Sequence, residues 1–363
     1  MLGGVSLPVP LPHIAALPRY VPGARGAADQ APPIKLSSNE NPLPPLPSVI
    51  EAINKAGGAV NRYPDMFAVE LTERIAQNAG INPEQVVVGG GSVAVLAHIL
   101  QAYAGPGDEV VFAWRSFEAY PILTSVVGAT PVPVPLTASS RHDLPELAAA
   151  VTPRTRVLMV CSPNNPTGPA VHADEFARLM DTVPSHVLVV LDEAYVEFVT
   201  DARAVRGENV LGRWPNLLVL RTFSKAYGLA GLRVGHALGP AELMAPVRAC
   251  VTPFSVSAVA QVAAVASLDA EAELLERVAG IVAERTRVLA ALADQGWSVP
   301  QAEGNFVWLP VGDDAADVAA YLASQQPAVL ARPFANEGVR VTVGTAREND
   351  QLLSALARFP SRV

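Results

Sequence analysis

Short apolar runs alternate with amphipathic helical patterns from about residue 50 onward. Apolar positions recur with helical spacing in SVIEAINKAGGA, FAVELTERIAQNAG and VAVLAHILQAYAG. Apolar runs bounded by turn residues, which are typical of buried strands, are QVVVGGG, DEVVFAW, ATPVPVPL, TRVLMVCSP, HVLVVLDEAY and NLLVLRTFS. Strands that alternate with helices predict βαβ units and a mostly parallel sheet covered by helices on both faces. The predicted fold class is therefore α/β.

The pattern differs on either side of this α/β region. The first residues are rich in proline and carry no core-forming pattern, which predicts an N-terminal arm. After about Pro240, two long helical stretches, the longer spanning 257–296, precede the strand patterns NFVWLPV and GVRVTVGT. This order is typical of a smaller α+β domain. We therefore divide the chain into an arm at 1–33, a large domain at 34–241 and a small domain at 242–363.

Composition narrows the class of function. The chain has 363 residues, half of them apolar, and a net charge of −8, which disfavours nucleic acid because phosphate contacts need basic surface. Its apolar runs stop short of the ~18 residues of a spanning helix, and its proline-broken start does not resemble a signal peptide. Cys161 and Cys250 fit a reducing compartment and offer no metal-ligand spacing. We expect a cytoplasmic enzyme of small molecules, with no metal, membrane or nucleic-acid partner.

Polar residues follow four of the apolar runs directly. They are GGGS after VVV, SPNNPTG after VLMV, DEAY after LVVL, and TFSK after LLVL. In open α/β sheets the ligand binds at the carboxyl ends of the strands. The sequence therefore predicts that four strand ends contribute to one crevice.

The first of these segments, GGGSVA, has three interpretations. Gly89, Gly91 and Ala94 satisfy the dinucleotide pattern G-x-G-x-x-A, but the next strand ends in Trp114 where an acidic residue is wanted. Alternatively, the backbone N–H groups of Gly91 and Ser92 bind a phosphate at a helix N-terminus. A strand-to-helix turn capped by Ser92 also explains this motif when it is taken alone.

The stretch TFSKAYGLAGLRVG places Lys225 among small and apolar residues. A lysine in apolar surroundings near another cation is poorly stabilised as ammonium, so its amine can attack an aldehyde. Ser224 and Arg233 offer a hydroxyl and a guanidinium to a phosphate, and the glycines at 228, 231 and 235 permit close backbone approach. An amine for an aldehyde beside a phosphate site describes pyridoxal 5′-phosphate.

This cofactor needs further partners, which the sequence supplies at the other strand ends. Asp192 would keep the pyridine nitrogen protonated, Asn165 and Tyr195 would donate to the phenolic oxygen, and Phe117 would cover the ring. Taken singly, Asp192 is explained as a helix cap, Asn165 as a turn residue and Phe117 as a core residue. Their combination at successive strand ends favours the cofactor.

Six segments carry a resemblance to a known family: SSNENP, NRYPD, SPNNPTG, LDEAYVEF, TFSKAYGLAGLRVG and VRVTVGT. From about Tyr20 to the C-terminus the chain resembles fold type I pyridoxal-phosphate aminotransferases of the histidinol-phosphate aminotransferase family. The resemblance implies a large domain with a mostly parallel sheet between helices and a smaller α+β C-terminal domain. It also implies a homodimer with both active sites at the subunit interface.

The resemblance assigns roles to the matching residues. Lys225 would be the Schiff-base lysine and general acid–base catalyst, assisted by Asp192 and Tyr195. The residues implied to bind the cofactor are Lys225, Gly91, Ser92, Phe117, Asn165, Asp192, Tyr195, Ser224, Arg233 and, from the neighbouring subunit, Tyr63. Those implied to bind the substrate are Arg340, which would hold the α-carboxylate, with Tyr20, Asn39 and Arg332.

The substrate is predicted from departures within the family. Val93 and Ala94 stand where histidinol-phosphate enzymes commonly carry an acidic pair. With VVFAWRSFEAYP and QAEGNFVWLP, this resembles the aromatic amino acid (phenylalanine) aminotransferases. We predict ping-pong transamination between an aromatic amino acid and 2-oxoglutarate, with Phe117 and Trp114 as candidate walls for the ring. Histidinol phosphate stays open as a substrate, because Tyr20 and Arg332 match residues that contact its phosphate in the family.

Three other classes of protein are separated by simple observations. A nicotinamide-dependent dehydrogenase would use GGGSVA and bind a nucleotide. A non-catalytic binding protein of the same fold would lose the lysine, which this chain retains. A decarboxylase or lyase would share the cofactor site, and only its products would distinguish it.

Overall fold

The computed structural model describes residues 8–17 and 32–360. Tyr20 and most of the predicted arm lie outside these residues. The helices are α1 (Pro12–Ala15), α2 (Pro47–Gly57), α3 (Val69–Ala79), α4 (Ser92–Tyr103), α5 (Ala119–Val126), α6 (Leu144–Ala149), α7 (Ala173–Thr182), α8 (Gly207–Val210), α9 (Ala241–Ala249), α10 (Ala258–Asp269), α11 (Glu271–Asp294), α12 (Ala315–Ala323) and α13 (Ala346–Ala357). The strands are β1 (Ile34–Lys35), β2 (Val86–Gly89), β3 (Glu109–Trp114), β4 (Thr130–Pro135), β5 (Thr155–Cys161), β6 (Leu188–Asp192), β7 (Leu217–Thr222), β8 (Gly235–Leu238), β9 (Phe306–Gly312), β10 (Val329–Leu330), β11 (Arg332–Phe334) and β12 (Glu337–Thr342).

The main sheet of the structure has seven strands in the order β2-β8-β7-β6-β5-β3-β4. Strands β4, β3, β5, β6 and β7 are parallel to one another, and β8 is antiparallel to both β7 and β2. Every residue of β6 is buried, as expected for a strand covered on both faces. The predicted α/β class and mostly parallel sheet are confirmed.

A three-stranded antiparallel sheet in the order β11-β12-β9 forms the second layer of structure, and the two predicted C-terminal strands lie in it. The short parallel pair β1–β10 joins the segment at Ile34 to this region. The backbone then continues to Leu36, whose carbonyl accepts from the N–H of Thr342 at 2.8 Å. This segment therefore lies beside β12, where it reaches the candidate site. The domain division at 34–241 and 242–363 stays a prediction.

The long C-terminal helical stretch is two helices, which corrects the prediction of one. The chain turns at Ala270 (φ −104°, ψ 23°), between α10 and α11. Helix α10 packs against α2 and α3, whereas α11 runs on to contact α13 and β9. The sequence is equally helical on both sides of Ala270, so the break follows from the different packing partners of the two helices.

Among the described residues, no helix is both long and apolar enough to cross a bilayer. Both cysteines are free.

Candidate active site

The carboxyl ends of β5, β6 and β7 lie side by side at one edge of the large sheet. Cys161 at the end of β5 pairs with Asp192 at the end of β6, and β7 ends at Thr222 one strand further on. Gly235 at the start of β8 lies opposite both Thr222 and Gly89. The segments that follow β2, β5, β6 and β7 therefore meet at this edge, as predicted.

Most of the predicted site residues line one cavity at this edge. They are Ser92, Phe117, Asn165, Asp192, Tyr195, Ser224, Lys225, Arg233, Arg332 and Arg340. The last two come from β11 and β12 of the small sheet. The cavity therefore lies between the two sheets.

Lys225 is the lysine that lines the cavity. Its Nζ donates to the carbonyl of Ser38 at 3.2 Å and lies 5.7 Å from the ring centre of Tyr195. Burial, with the charges of Arg340 and Arg233, lowers the pKa of this amine to about 7 against the opposing carboxylates. A substantial neutral fraction is therefore present near neutral pH, as a nucleophile requires.

Asp192 is a buried carboxylate with two hydrogen-bond donors. The hydroxyl of Tyr120 donates to Oδ2 at 2.7 Å and the N–H of Ala194 to Oδ1 at 3.2 Å. Burial raises the pKa of Asp192 to about 6, with a further contribution from Glu193. Among the ion pairs of the described residues none includes Asp192. A cationic ring nitrogen would stabilise its charged form.

Arg233, Ser224 and the turn before α4 lie together and offer hydrogen-bond donors that suit an anion. Nη1 of Arg233 donates to Oγ of Ser224 at 3.2 Å. The turn residue Gly91 has φ of +91°, and a Cβ there would lie 3.1 Å from Cζ of Arg233 and closer still to its Nη2. A side chain at 91 would therefore displace the guanidinium, which explains the glycine.

Gly235 has a similar reason, because a Cβ there would lie 2.8 Å from the carbonyl carbon of Gly91. Gly231 does not, since a Cβ there would meet nothing within 4 Å. The backbone of Gly91 thus approaches Gly235 closely, whereas close approach at Gly231 stays a prediction.

A hydrogen-bonded network orients the two residues predicted to donate to the phenolic oxygen. Nη1 of Arg340 donates to Oδ1 of Asn165 at 2.5 Å, and Nδ2 of Asn39 donates to the hydroxyl oxygen of Tyr195 at 3.0 Å. Because both oxygens already accept, the Asn165 amide hydrogens and the Tyr195 hydroxyl proton are available to a ligand. Asn39 is thus a positioning residue in this structure, one step from the cavity.

Among the described residues, four predicted ones do not line the cavity: Gly91, Asn39, Tyr63 and Trp114. Tyr63 is 84% exposed and packs on Phe254 with ring centres 4.8 Å apart. Trp114, a candidate wall, is not a lining residue and stacks with the guanidinium of Arg115 at 4.3 Å. Tyr20 lies outside the described residues.

The lining or supporting residues that sequence reasoning missed include Ser37, Glu118, Tyr120 and Phe334. Tyr120 and Glu118 stand in the segment WRSFEAYP, in which only Phe117 and Trp114 were assigned. Tyr120 is fully buried, so a buried hydroxyl needing a partner was its available signal. Ser37 and Phe334 gave no such signal, because only the fold brings them to the cavity.

The residues present fit pyridoxal 5′-phosphate. Among the described residues Asp192 is in no ion pair, Arg233 and Ser224 offer donors to an anion, and Lys225 supplies a poorly solvated amine. The buried Oγ of Ser37, which lines the cavity, has no hydrogen-bond partner among the described residues. A ligand with an anionic group, a cationic ring nitrogen and an aldehyde would satisfy these groups.

Residues 31–356 match the family described as aminotransferase class I and II. The chain belongs to this aminotransferase family. Its cofactor is accordingly pyridoxal 5′-phosphate, and the predicted family and cofactor are confirmed. The dinucleotide interpretation of GGGSVA is wrong, since β2 is an edge strand antiparallel to its neighbour and not the first strand of a parallel βαβ unit.

Relatives of this chain align with it over nearly its whole length. The aromatic amino acid aminotransferase of Thermobifida fusca is 54% identical over 347 residues, covering 96% of each chain, and that of Streptomyces avermitilis is 53% identical with the same coverage. A crystal structure of the histidinol-phosphate aminotransferase from Sinorhizobium meliloti, in complex with pyridoxal-5′-phosphate, superposes with a TM-score of 0.87. It is 27% identical, with 97% of this chain and 98% of that chain covered.

Proposed function

We propose that this enzyme transfers the amino group of an aromatic amino acid of the phenylalanine type to 2-oxoglutarate by a ping-pong mechanism. The observation that carries the proposal is the identity of 54% over 96% of both chains with a relative named aromatic amino acid aminotransferase. The cavity supports it, because Phe117 and Phe334 line the same cavity as Lys225. Aromatic walls favour an uncharged ring through apolar burial and ring contacts.

In this proposal each residue at the cofactor end has one task. Arg233, Ser224 and the N–H groups at the start of α4 hold the phosphate, while Asn165 and Tyr195 donate to the phenolic oxygen. Asp192, oriented by Tyr120, keeps the ring nitrogen protonated. The bound cofactor supplies an electron sink that stabilises negative charge at the substrate Cα.

The remaining residues position the substrate and move its proton. Arg340, from β12, holds the α-carboxylate with its guanidinium and so fixes the Cα–H bond relative to the cavity. Lys225, whose pKa is about 7, takes the proton from Cα as a general base and returns it as a general acid. A pKa near the working pH suits both directions of transfer.

Steady-state kinetics test this proposal. We expect kcat/KM for phenylalanine, with 2-oxoglutarate as acceptor, to exceed that for histidinol phosphate by tenfold or more, which is about 1.4 kcal/mol of transition-state discrimination. Identification of phenylpyruvate as the product excludes decarboxylation. A tenfold preference for histidinol phosphate would instead assign the enzyme to that substrate, which Arg332 in the cavity favours.

We also propose a homodimer in which Tyr63 contributes to the phosphate site of the neighbouring subunit. Exposed apolar side chains cluster in sequence around it: Val60, Tyr63, Met66, Phe67 and Val69, with Phe254 against the Tyr63 ring. Exposed apolar surface of this kind is typical of a protein interface. Sedimentation equilibrium should give twice the chain mass, and a fully active monomer would contradict the proposal. We further propose the division into an arm at 1–33, a large domain at 34–241 and a small domain at 242–363, and a cytoplasmic location.

A further inference from the structure

Asn39 lies between the cavity residue Tyr195 and Thr342, the last residue of β12. All three side chains are buried. Nδ2 of Asn39 donates to the Tyr195 hydroxyl oxygen at 3.0 Å, and the Thr342 hydroxyl donates to Oδ1 of Asn39 at 3.2 Å. The Asn39 amide therefore connects a strand of the small sheet to a residue that lines the cavity.

The hydroxyl of Thr342 has only one direction open to it in this contact. Its oxygen accepts from the backbone N–H of Asn39 at 2.9 Å, and a backbone N–H can only donate. The single hydroxyl proton is then left for the side-chain oxygen of Asn39. Because Thr342 supplies a donor, it selects the orientation of the amide that presents Oδ1 to Thr342 and Nδ2 to Tyr195.

The opposite orientation of the amide would reverse the Tyr195 hydroxyl. Nδ2 would then face the Thr342 hydroxyl, whose oxygen would receive two donors while its proton lost its acceptor. A buried donor without an acceptor is unfavourable. Oδ1 would face Tyr195 and accept its proton, which would turn away from the cavity.

The backbone around Asn39 holds the side chain in place. Asn39 has φ of 53°, in the left-handed region that asparagine adopts more readily than most residues. Its N–H is bound to Thr342, and its carbonyl accepts from Nδ2 of Asn305 at 3.1 Å. Asn39 is 1% exposed and Asn305 is 0% exposed, so water does not compete for these bonds. Rotation of the terminal amide is therefore the movement that decides which atom faces Tyr195.

The Tyr195 hydroxyl keeps a proton to donate. Burial raises its pKa, so the hydroxyl is protonated at neutral pH. It already accepts from Asn39, and none of the described residues accepts its proton. That proton is available to the phenolic oxygen of the cofactor, which is the task given to Tyr195 in the proposed function.

We infer that Thr342 is a positioning residue, whose hydroxyl sets the direction of the Asn39 amide and thereby aims the Tyr195 proton into the cavity. The inference rests on the proposed function and deepens it. Negative charge on the phenolic oxygen stabilises the protonated linkage between Lys225 and the cofactor, and a hydrogen bond to that oxygen spreads this charge. Loss of the bond should therefore raise the pKa of the linkage.

Thr342→Val tests the inference because it keeps the side-chain shape and removes the hydroxyl. The linkage absorbs visible light when it is protonated, so a pH titration of the visible absorbance of the cofactor-loaded enzyme gives its midpoint. Thr342→Val should raise this midpoint by about half a pH unit or more, which corresponds to the net contribution of one hydrogen bond. Thr342→Ala should raise it in the same direction, whereas Thr342→Ser keeps the hydroxyl and should keep the wild-type midpoint.

Two further measurements identify the route of the effect. Thr124→Val is the matched control, because Thr124 is fully buried, its hydroxyl has no hydrogen-bond partner among the described residues, and it does not line the cavity. It should leave the midpoint unchanged. Tyr195→Phe should raise the midpoint by itself, and adding Thr342→Val to it should raise it no further, because Thr342 acts through the Tyr195 hydroxyl.

An unchanged midpoint in Thr342→Val and Thr342→Ala, beside a raised one in Tyr195→Phe, would overturn the inference alone. So would a further rise in the double variant, which would mean that Thr342 acts through its neighbour Arg340 or through the strand. An unchanged midpoint in Tyr195→Phe would contradict the proposed task of Tyr195 and overturn the inference with it. The proposed substrate is tested separately, by the steady-state kinetics of the wild-type enzyme.

Discussion

The two ends of the cavity differ in how their charges are balanced. At the cofactor end, Asp192 has no ionic partner among the described residues and Lys225 has a strongly lowered pKa, so both groups are completed only by a ligand. At the end lined by Glu118, Arg332 and Phe334, here called the side-chain end, Arg332 is already neutralised by Glu118. The cofactor end thus keeps groups with shifted pKa values for chemistry, whereas the side-chain end holds a pair of opposite charges.

The origins of the two ends differ as well. The cofactor end is made mainly from segments that directly follow strands of one parallel sheet. The side-chain end combines the segment after β3 with β11 and β12 of the other sheet. The cofactor end is therefore built at the edge of one sheet, whereas the side-chain end depends on contacts between the two sheets.

Loss of the Lys225 amine should have the largest effect. Lys225→Ala should lower kcat by at least about 10⁴-fold, because it removes both the nucleophile and the proton carrier. Circular dichroism should show an intact fold. The exposed Lys35 and Lys55 are the other lysines of the chain, and Lys55→Ala is the matched control with near-wild-type kcat.

Borohydride trapping gives this prediction a second readout. Mass spectrometry of the trapped wild-type enzyme should place the cofactor adduct on Lys225. An adduct on Lys35 or Lys55 would refute the assignment.

Charge at Asp192 should have the next largest effect. Asp192→Asn should still bind the cofactor but lower the rate of the phenylalanine half-reaction by about 10²- to 10³-fold, because the ring nitrogen loses its buried anionic partner. Tyr120→Phe keeps the carboxylate and removes only its 2.7 Å hydrogen bond, so it should cost about tenfold or less. Stopped-flow spectroscopy measures both rates, and wild-type rates in Asp192→Asn would exclude the proposed role.

The cofactor end was predictable because its residues are local to strand ends. Apolar runs locate β5, β6 and β7, and the polar segments after them then fall at one edge by the geometry of parallel strands. The positions of Asn165, Asp192 and Lys225 in the cavity follow from this rule alone. The break between α10 and α11 was not predictable, since it reflects which helices they pack against.

The side-chain end depends on contacts between residues far apart in sequence. Glu118 and Arg332 are 214 positions apart, and no periodicity relates them. The sequence identified Arg332 only through a family resemblance, in which it contacts a substrate phosphate. Its ion pair, which changes that interpretation, required the packing of β11 against the segment after β3.

The pH dependence of cofactor attachment should show the smallest effect and sharpens the account of the cofactor end. Because burial, Arg340 and Arg233 lower the Lys225 pKa to about 7, the amine becomes mostly neutral above that pH. The rate at which cofactor-free enzyme binds pyridoxal 5′-phosphate covalently should therefore rise with pH and level off above about 7. An unshifted lysine would give a rate that still climbs about tenfold per pH unit at pH 9, because its pKa is ~10.4.

Arg340→Gln removes one of the charges that oppose the ammonium form, so the inflection should move to higher pH in that variant. The same shift makes the cofactor-free protein more stable as pH rises above about 7, since the unfolded chain then binds more protons at this lysine than the folded one. Stopped-flow absorbance from pH 6 to 9 measures the inflection, and an unchanged inflection in Arg340→Gln would show that burial alone sets the pKa.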